Sequence, residues 1–173
     1  MSKNSARKRL SEKEKNKYRA RRETCFAVFF EMTFTDEPIE VLIENAEKSK
    51  VIESIYNENN STKNVDENED FTISIKDDEF IMNILELFRQ NKDEVDDTIR
   101  RFIKGWTIER LSRVTLSVLR FAVTELKYCP TSEKVVINEA VEISKKYSTP
   151  QDSRFVNGVL GSVVKELDNK NND

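Results

Sequence analysis

Glycine and proline are almost absent from this chain: three of each in 173 residues, with no glycine before Gly105. Leu, Ile, Glu, Lys and Arg are abundant in their place. A backbone with so few chain-breaking positions, filled with strong helix formers, is directed toward α-helices. The same scarcity excludes whole classes of chemistry. A phosphate-cradling loop or a dinucleotide-binding turn needs clustered glycines so that the backbone can approach phosphate, and neither pattern is present. There is no histidine, which excludes imidazole acid–base catalysis, Cys–His and Ser–His nucleophiles and the usual zinc sites. Cys25 and Cys129 lie far apart, with no CxxC pair, and read as small core residues rather than a disulfide or a reactive thiol. No catalytic residue, no metal and no cofactor is expected.

Apolar spacing divides the chain into about seven helices. Cys25, Phe26, Phe29 and Phe30 share one face of a helix entered near Tyr18, with Arg19, Arg21 and Arg22 expected in water around its first turns. Thr35-Asp36-Glu37-Pro38 reads as a second helix start, backed by Ile39, Leu42, Ile43 and Ala46. Phe80, Ile81, Ile84, Leu85 and Phe88 have helical spacing, as do Val95, Ile99, Phe102, Ile103 and Trp106. Thr107 is expected to cap the next helix, with Leu111, Val114, Val118, Ala122 and Leu126 inward. After Pro130, Val136, Ala140, Ile143 and Tyr147 form a further stripe. Thr149-Pro150-Gln151-Asp152 then opens the last helix, with Phe155, Val159, Leu160, Val163 and Leu167 on its face. The polar end, residues 168–173, is expected to fray. Residues 57–70 hold Val65 as their only large apolar side chain and predict a mobile acidic loop, a surface insertion rather than a competitor for the basic arm. Phe71, Ile73 and Ile75 alternate like a short extended piece.

Charge is distributed unevenly. The first 22 residues hold ten Lys or Arg against Glu12 and Glu14, an arm of about +8 on a body of about −11, together giving the net charge of −3. A cationic arm on an acidic body suits a polyanion, and nucleic acid is the commonest one because each phosphate neutralised releases a counterion; the alternative is a solvated tail with no partner. No run approaches the roughly 18 apolar residues of a membrane span, and the basic start lacks the apolar stretch of a signal peptide, so a cytoplasmic protein is expected.

The C-terminal half resembles the NusB family. Val118-Leu119-Arg120-Phe121-Ala122 with Glu125-Leu126 looks like that family's "ILRxAxxEL" helix. Val135-Val136-Ile137-Asn138-Glu139-Ala140-Val141-Glu142 looks like its "VxINEAVE" helix, and Phe155-Val156-Asn157-Gly158-Val159-Leu160 matches "FVNGVL". Asp96, Ile99, Ile103 and Trp106 keep the family's spacing, and Arg21-Arg22-Glu23 before the phenylalanines is similar to its opening "RxxARE". Phe30 stands where that opening often ends in tyrosine, and Leu87 where the family often has glycine. Asn138 and Asn157 are expected as buried, hydrogen-bonded amides. Gly158 is expected where two helices approach closely, and Arg120 as the partner of Glu139 or Glu142.

The resemblance implies an all-α, compact bundle of two small helical subdomains: a basic flexible arm over 1–14, then a single domain over 15–173 divided near residue 76. It implies a non-enzymatic transcription antitermination factor that binds single-stranded boxA RNA together with a small-subunit ribosomal protein, NusE, and modifies RNA polymerase, chiefly in ribosomal RNA operons. A homodimer is an open alternative, and so is a helical protein–protein adaptor without intrinsic RNA binding. For RNA, the residues are Lys15, Lys17, Tyr18, Arg19, Arg21 and Arg22, with Arg154 joining them if the last helix packs beside the first. Tyr18 serves equally as a stacking or a core residue, and Arg154 equally as a contact or plain surface charge. Phe30, Glu31, Met32, Glu79 and Glu86 are the partner-binding candidates. Replacing Arg21 and Arg22 together by alanine is expected to weaken RNA binding by roughly 1–3 kcal/mol without unfolding the domain.

Overall fold

The computed structural model describes residues 11–49, 54, 55, 58 and 74–171; the predicted acidic loop, apart from Glu58, the first ten residues of the basic arm, and Phe71 and Ile73 lie outside them. Among the described residues the chain is all-helical, with six α-helices: α1 (Glu12–Glu31), α2 (Ile39–Lys48), α3 (Glu79–Phe102), α4 (Arg113–Tyr128), α5 (Glu133–Tyr147) and α6 (Pro150–Asn171). One hydrophobic core joins them, from Cys25, Phe26 and Phe29 on α1 through Ile84 and Phe88 on α3 to Leu119, Phe121, Val156 and Leu160. Helix α4 is the central element, packing on α1, α3, α5 and α6. Cys25 is buried and Cys129 half-buried, and both are free thiols.

The helix ends follow local chemistry, with some differences from expectation. Helix α1 begins at Glu12, earlier than the apolar stripe predicts, because Ser11 and Glu14 close a reciprocal cap: Glu14 N–H donates to Ser11 Oγ (3.2 Å) and Ser11 N–H to Glu14 Oε2 (2.7 Å). This places residues 12–14, assigned to the flexible arm, in the first helical turn. The two helices expected over 80–88 and 95–106 meet end to end within α3, at a kink where Asn91 leaves helical geometry (φ −123°, ψ 20°) and its amide donates to Leu87 O at 2.8 Å. Thr107 makes no side-chain cap; a short 3₁₀ turn, Ile108–Arg110, follows it, and Ser112 caps α4 by accepting from Thr115 N–H at 3.1 Å. At α2, Thr35 accepts from Glu37 N–H (3.2 Å) while Pro38 takes the cap position. The Thr149–Asp152 box at α6 forms as its sequence predicts, with Asp152 N–H donating to Thr149 Oγ1 at 3.1 Å. Helix α6 runs on to Asn171, through most of the segment expected to fray.

Other expectations are corrected by packing. Asn138 and Asn157 are exposed, not buried. A Cβ added at Gly158 would meet nothing within 4 Å, so no close helix approach requires that glycine. Arg120 pairs with Asp96, through Nε–Oδ1 at 2.8 Å and Nη2–Oδ2 at 2.7 Å, rather than with Glu139 or Glu142. Asp96 is nearer because the second half of α3 runs directly along α4. Glu142 pairs instead within α5, with Lys145 at 2.7 Å.

Candidate RNA-binding surface

Helix α1 enters the fold with a cationic sequence and leaves it with an aromatic one, and the change of role falls at Arg22. Arg22 is spaced three and four residues before Cys25 and Phe26, so it lies in register with the buried stripe. The structure places it 5% exposed, against a Glu125 that is fully buried on α4. The pair is bidentate, Nη2–Oε1 at 2.6 Å and Nε–Oε2 at 3.2 Å. The guanidinium also lies over the Phe80 ring, 5.3 Å from its centroid. Two charges taken from water this completely require each other. Arg22, expected in water as an RNA contact, is thus an internal strut between α1 and α4. Arg21 is half-buried and holds Asp78 at 2.5 Å. Asp78 in turn caps α3 by accepting from Phe80 and Ile81 N–H, so Arg21 fastens α1 to the start of α3.

The open cations lie one and two turns earlier. Lys15, Lys17 and Arg19 are exposed. Among the described residues the Lys15 ammonium pairs with Glu12, at 2.9 Å across one exposed helical turn, a pairing too weak to withhold it from phosphate. Lys17 makes no ion pair among the described residues. The Arg19 side chain is half exposed, 3.8 Å from Glu139 on α5. Burial holds Glu139 above its ordinary carboxylate range, against the lowering fields of Arg22 and Arg19. Tyr18 is 40% exposed, with the Arg21 guanidinium 5.7 Å from its ring centroid. The next residue inward, Glu23, is buried and accepts from both Lys146 Nζ and Tyr147 OH. Burial first, and then this hydrogen bond, push the Tyr147 hydroxyl up to about 12. Lys146 also meets Glu58 at 2.5 Å.

Arg154 is exposed on α6, but α6 packs on α3, α4 and α5 and does not pack comparably on α1. The structure therefore does not supply the condition on which Arg154 was expected to join the first cluster. The partner candidates separate as well. Phe30, Glu31 and Met32 sit at the end of α1, and Phe30 and Glu31 line a cavity of about 410 Å³ with Phe26, Ala46, Val114 and Tyr147. Glu79 is exposed at the opposite end of the α1–α3 pairing, because α1 and α3 run parallel, with Arg21 at Asp78 and Phe29 against Phe88. Glu86 accepts from Arg89 (2.6 and 2.8 Å) and from Gln90 (2.6 Å), and the Arg89 hydrogen bond, followed by that of Gln90, holds its carboxyl down to about 2. That carboxylate is already engaged within its own helix. Among the described residues no group of His, Cys, Asp and Glu is arranged to hold a metal ion, and no helix is long and apolar enough to cross a membrane.

Comparison with known proteins agrees with this architecture. A family model described as the NusB family matches residues 19–165. "Transcription antitermination protein NusB" of Clostridium botulinum (strain Kyoto / Type A2) is 35% identical over 147 residues, covering 84% of this chain and 98% of that one. The protein of the same name from Acetivibrio thermocellus is 40% identical over 100 residues, 56% of this chain and 68% of that one. Among solved structures, T. maritima NusB superposes with a TM-score of 0.64 at 31% identity, covering 86% of this chain and 90% of that chain. A structure of antitermination factors NusB and NusE in complex with double-stranded RNA has the same fold, with a TM-score of 0.62 at 23% identity, covering 86% and 96% of the two chains.

Proposed function

Since the chain belongs to the NusB family of transcription antitermination proteins, which are not enzymes, we propose that it binds single-stranded boxA-like RNA through the first turns of α1. It does so together with the small-subunit ribosomal protein NusE, as part of a complex that modifies RNA polymerase in ribosomal RNA operons. The observation that carries this reading is the run of exposed cations Lys15, Lys17 and Arg19 on a helix whose inward neighbour, Arg22, is locked into Glu125. A single strand needs cations that follow its backbone and planar groups for its bases. The run supplies the first, and Tyr18 with the Arg19 fork supplies the second. Arg21 contributes by position: its bond to Asp78 holds α1 at a set angle to α3. The apolar cavity beside Phe30 and Glu31 supports a protein partner at the far end of α1, since partner surfaces combine apolar pockets with a charged rim.

The test is a titration of boxA-like RNA against a scrambled control, with and without NusE, on the wild type and on the double variant Lys17→Ala, Arg19→Ala. The double variant is expected to keep its circular dichroism spectrum and to lose roughly 1–3 kcal/mol of boxA binding. Unchanged affinity in this folded variant would overturn the placement of the site. The Arg21→Ala, Arg22→Ala pair no longer serves this purpose, because losing Arg22 strands a buried carboxylate.

A further inference from the structure

A second aromatic–cationic patch lies away from α1, where α3 ends. Trp106 N–H donates to Ile103 O at 2.9 Å, closing a turn in which Gly105 has φ of +77°. A side chain at that position would be strained, so glycine allows the turn to close tightly. The turn lifts Trp106 off the helical stripe in which its spacing had placed it, leaving it 49% exposed. The Arg110 guanidinium lies 5.5 Å from the indole centroid, and Phe155 at the start of α6 meets the ring edge-on at 6.4 Å. A large apolar ring half in water, steadied on two sides, is arranged to accept a flat partner.

Three cations flank it along the chain or through Phe155. Lys104 lies within the turn, and Arg154 directly precedes Phe155. Neither these two nor Arg110 forms an ion pair among the described residues. Arg100 and Arg101, one turn back, are by contrast held by Asp97 at 2.6 Å and Glu166 at 3.0 Å. The nearest acid in sequence, Glu109, is tied back to its own N–H and to Thr107. An exposed indole among uncommitted cations suits a single-stranded nucleic acid better than a protein surface, because every base offers a π-face and every linkage a phosphate.

We infer that Trp106 is a stacking platform for an unpaired RNA base, with Arg110, Lys104 and Arg154 taking the neighbouring phosphates. This rests on the RNA-binding reading above and extends the path of the strand to a second surface. Arg154 thereby acquires a place with Trp106 rather than with α1.

Trp106 is the only tryptophan in the chain, so its fluorescence reports on this patch alone. The experiment follows the wild-type protein, with single-stranded boxA-like RNA as probe, by RNA anisotropy for binding and by tryptophan emission and acrylamide accessibility for stacking. Binding is expected to quench the emission and to protect the indole. Trp106→Ala is expected to weaken binding roughly 5- to 150-fold, the range that corresponds to about 1–3 kcal/mol for one stacked base, and Trp106→Tyr to restore most of it. A circular dichroism spectrum unchanged in both variants excludes unfolding as the cause. RNA that binds without altering the emission, and binds Trp106→Ala as tightly as wild type, overturns the platform and leaves the α1 site standing. RNA that fails to bind the wild type at all overturns both.

Discussion

Arg22 carries two sequence signals at once, and they conflict. As one of three arginines near the start of α1 it reads as a phosphate contact. As the residue three and four positions before Cys25 and Phe26 it reads as part of the buried face. The register prevails because α4 supplies Glu125 at the right height. Arg22→Ala, which leaves Glu125 buried and unpaired, is expected to cost about 3–5 kcal/mol in denaturant unfolding. Replacing both partners with apolar residues, Arg22→Met with Glu125→Leu, is expected to recover most of that loss, since the cost lies in the stranded charge. Glu139 gives a test of opposite sign. Its pKa is raised in the folded state, so the protonated carboxyl is the form that favours folding. The stability it contributes is present below the unfolded value and is lost as pH rises through the folded value. Glu139→Gln is therefore expected to raise the unfolding midpoint at neutral pH, with the gain vanishing in acid below the ordinary carboxylate range. A midpoint that falls at neutral pH would mean that the pairing with Arg19 outweighs the burial.

Helix ends set where the proposed RNA contacts stand. Without the Ser11–Glu14 box, the turn bearing Lys15 and Lys17 would have no side-chain cap on its amides. Ser11→Ala is expected to remove about 1 kcal/mol of helix stability, seen as a small loss of ellipticity and faster amide exchange confined to the first turns of α1. The S-x-x-E pattern of that cap is plain at Ser11 and Glu14, yet the apolar stripe begins later, and a start judged by hydrophobic spacing misses the polar first turn. Trp106 is missed for the converse reason. Its spacing from Ile99 and Ile103 continues a helical face, while Gly105 between them turns the chain out of the helix. The gap between the apolar runs ending at Phe88 and beginning at Val95 is legible by contrast: it falls where Asn91 leaves helical geometry and two helical stretches meet at a kink.

Across the molecule, an acidic body carries exposed cations beside exposed aromatic rings at the opening turns of α1, next to Tyr18, and in the turn bearing Lys104, Trp106 and Arg110. If both meet RNA, affinity is expected to fall steeply as salt rises, log affinity against log salt giving a straight line. Each phosphate contact removed by mutation should take about 0.7 from its slope for a single strand. A flat titration would favour a helical adaptor whose basic arm is incidental. The helical class, the order of the helices, the family and the cationic start of α1 are all legible in the linear order of residues, because periodicity, capping boxes and the strings INEAVE and FVNGVL are local. Which arginines face water is not local. It depends on Glu125, Asp78 and Asp96, between 24 and 103 residues away along the chain from the arginines they hold. A charge buried opposite its partner and the same charge in solvent look identical in sequence, and only the packing of α4 against α1 and α3 separates them.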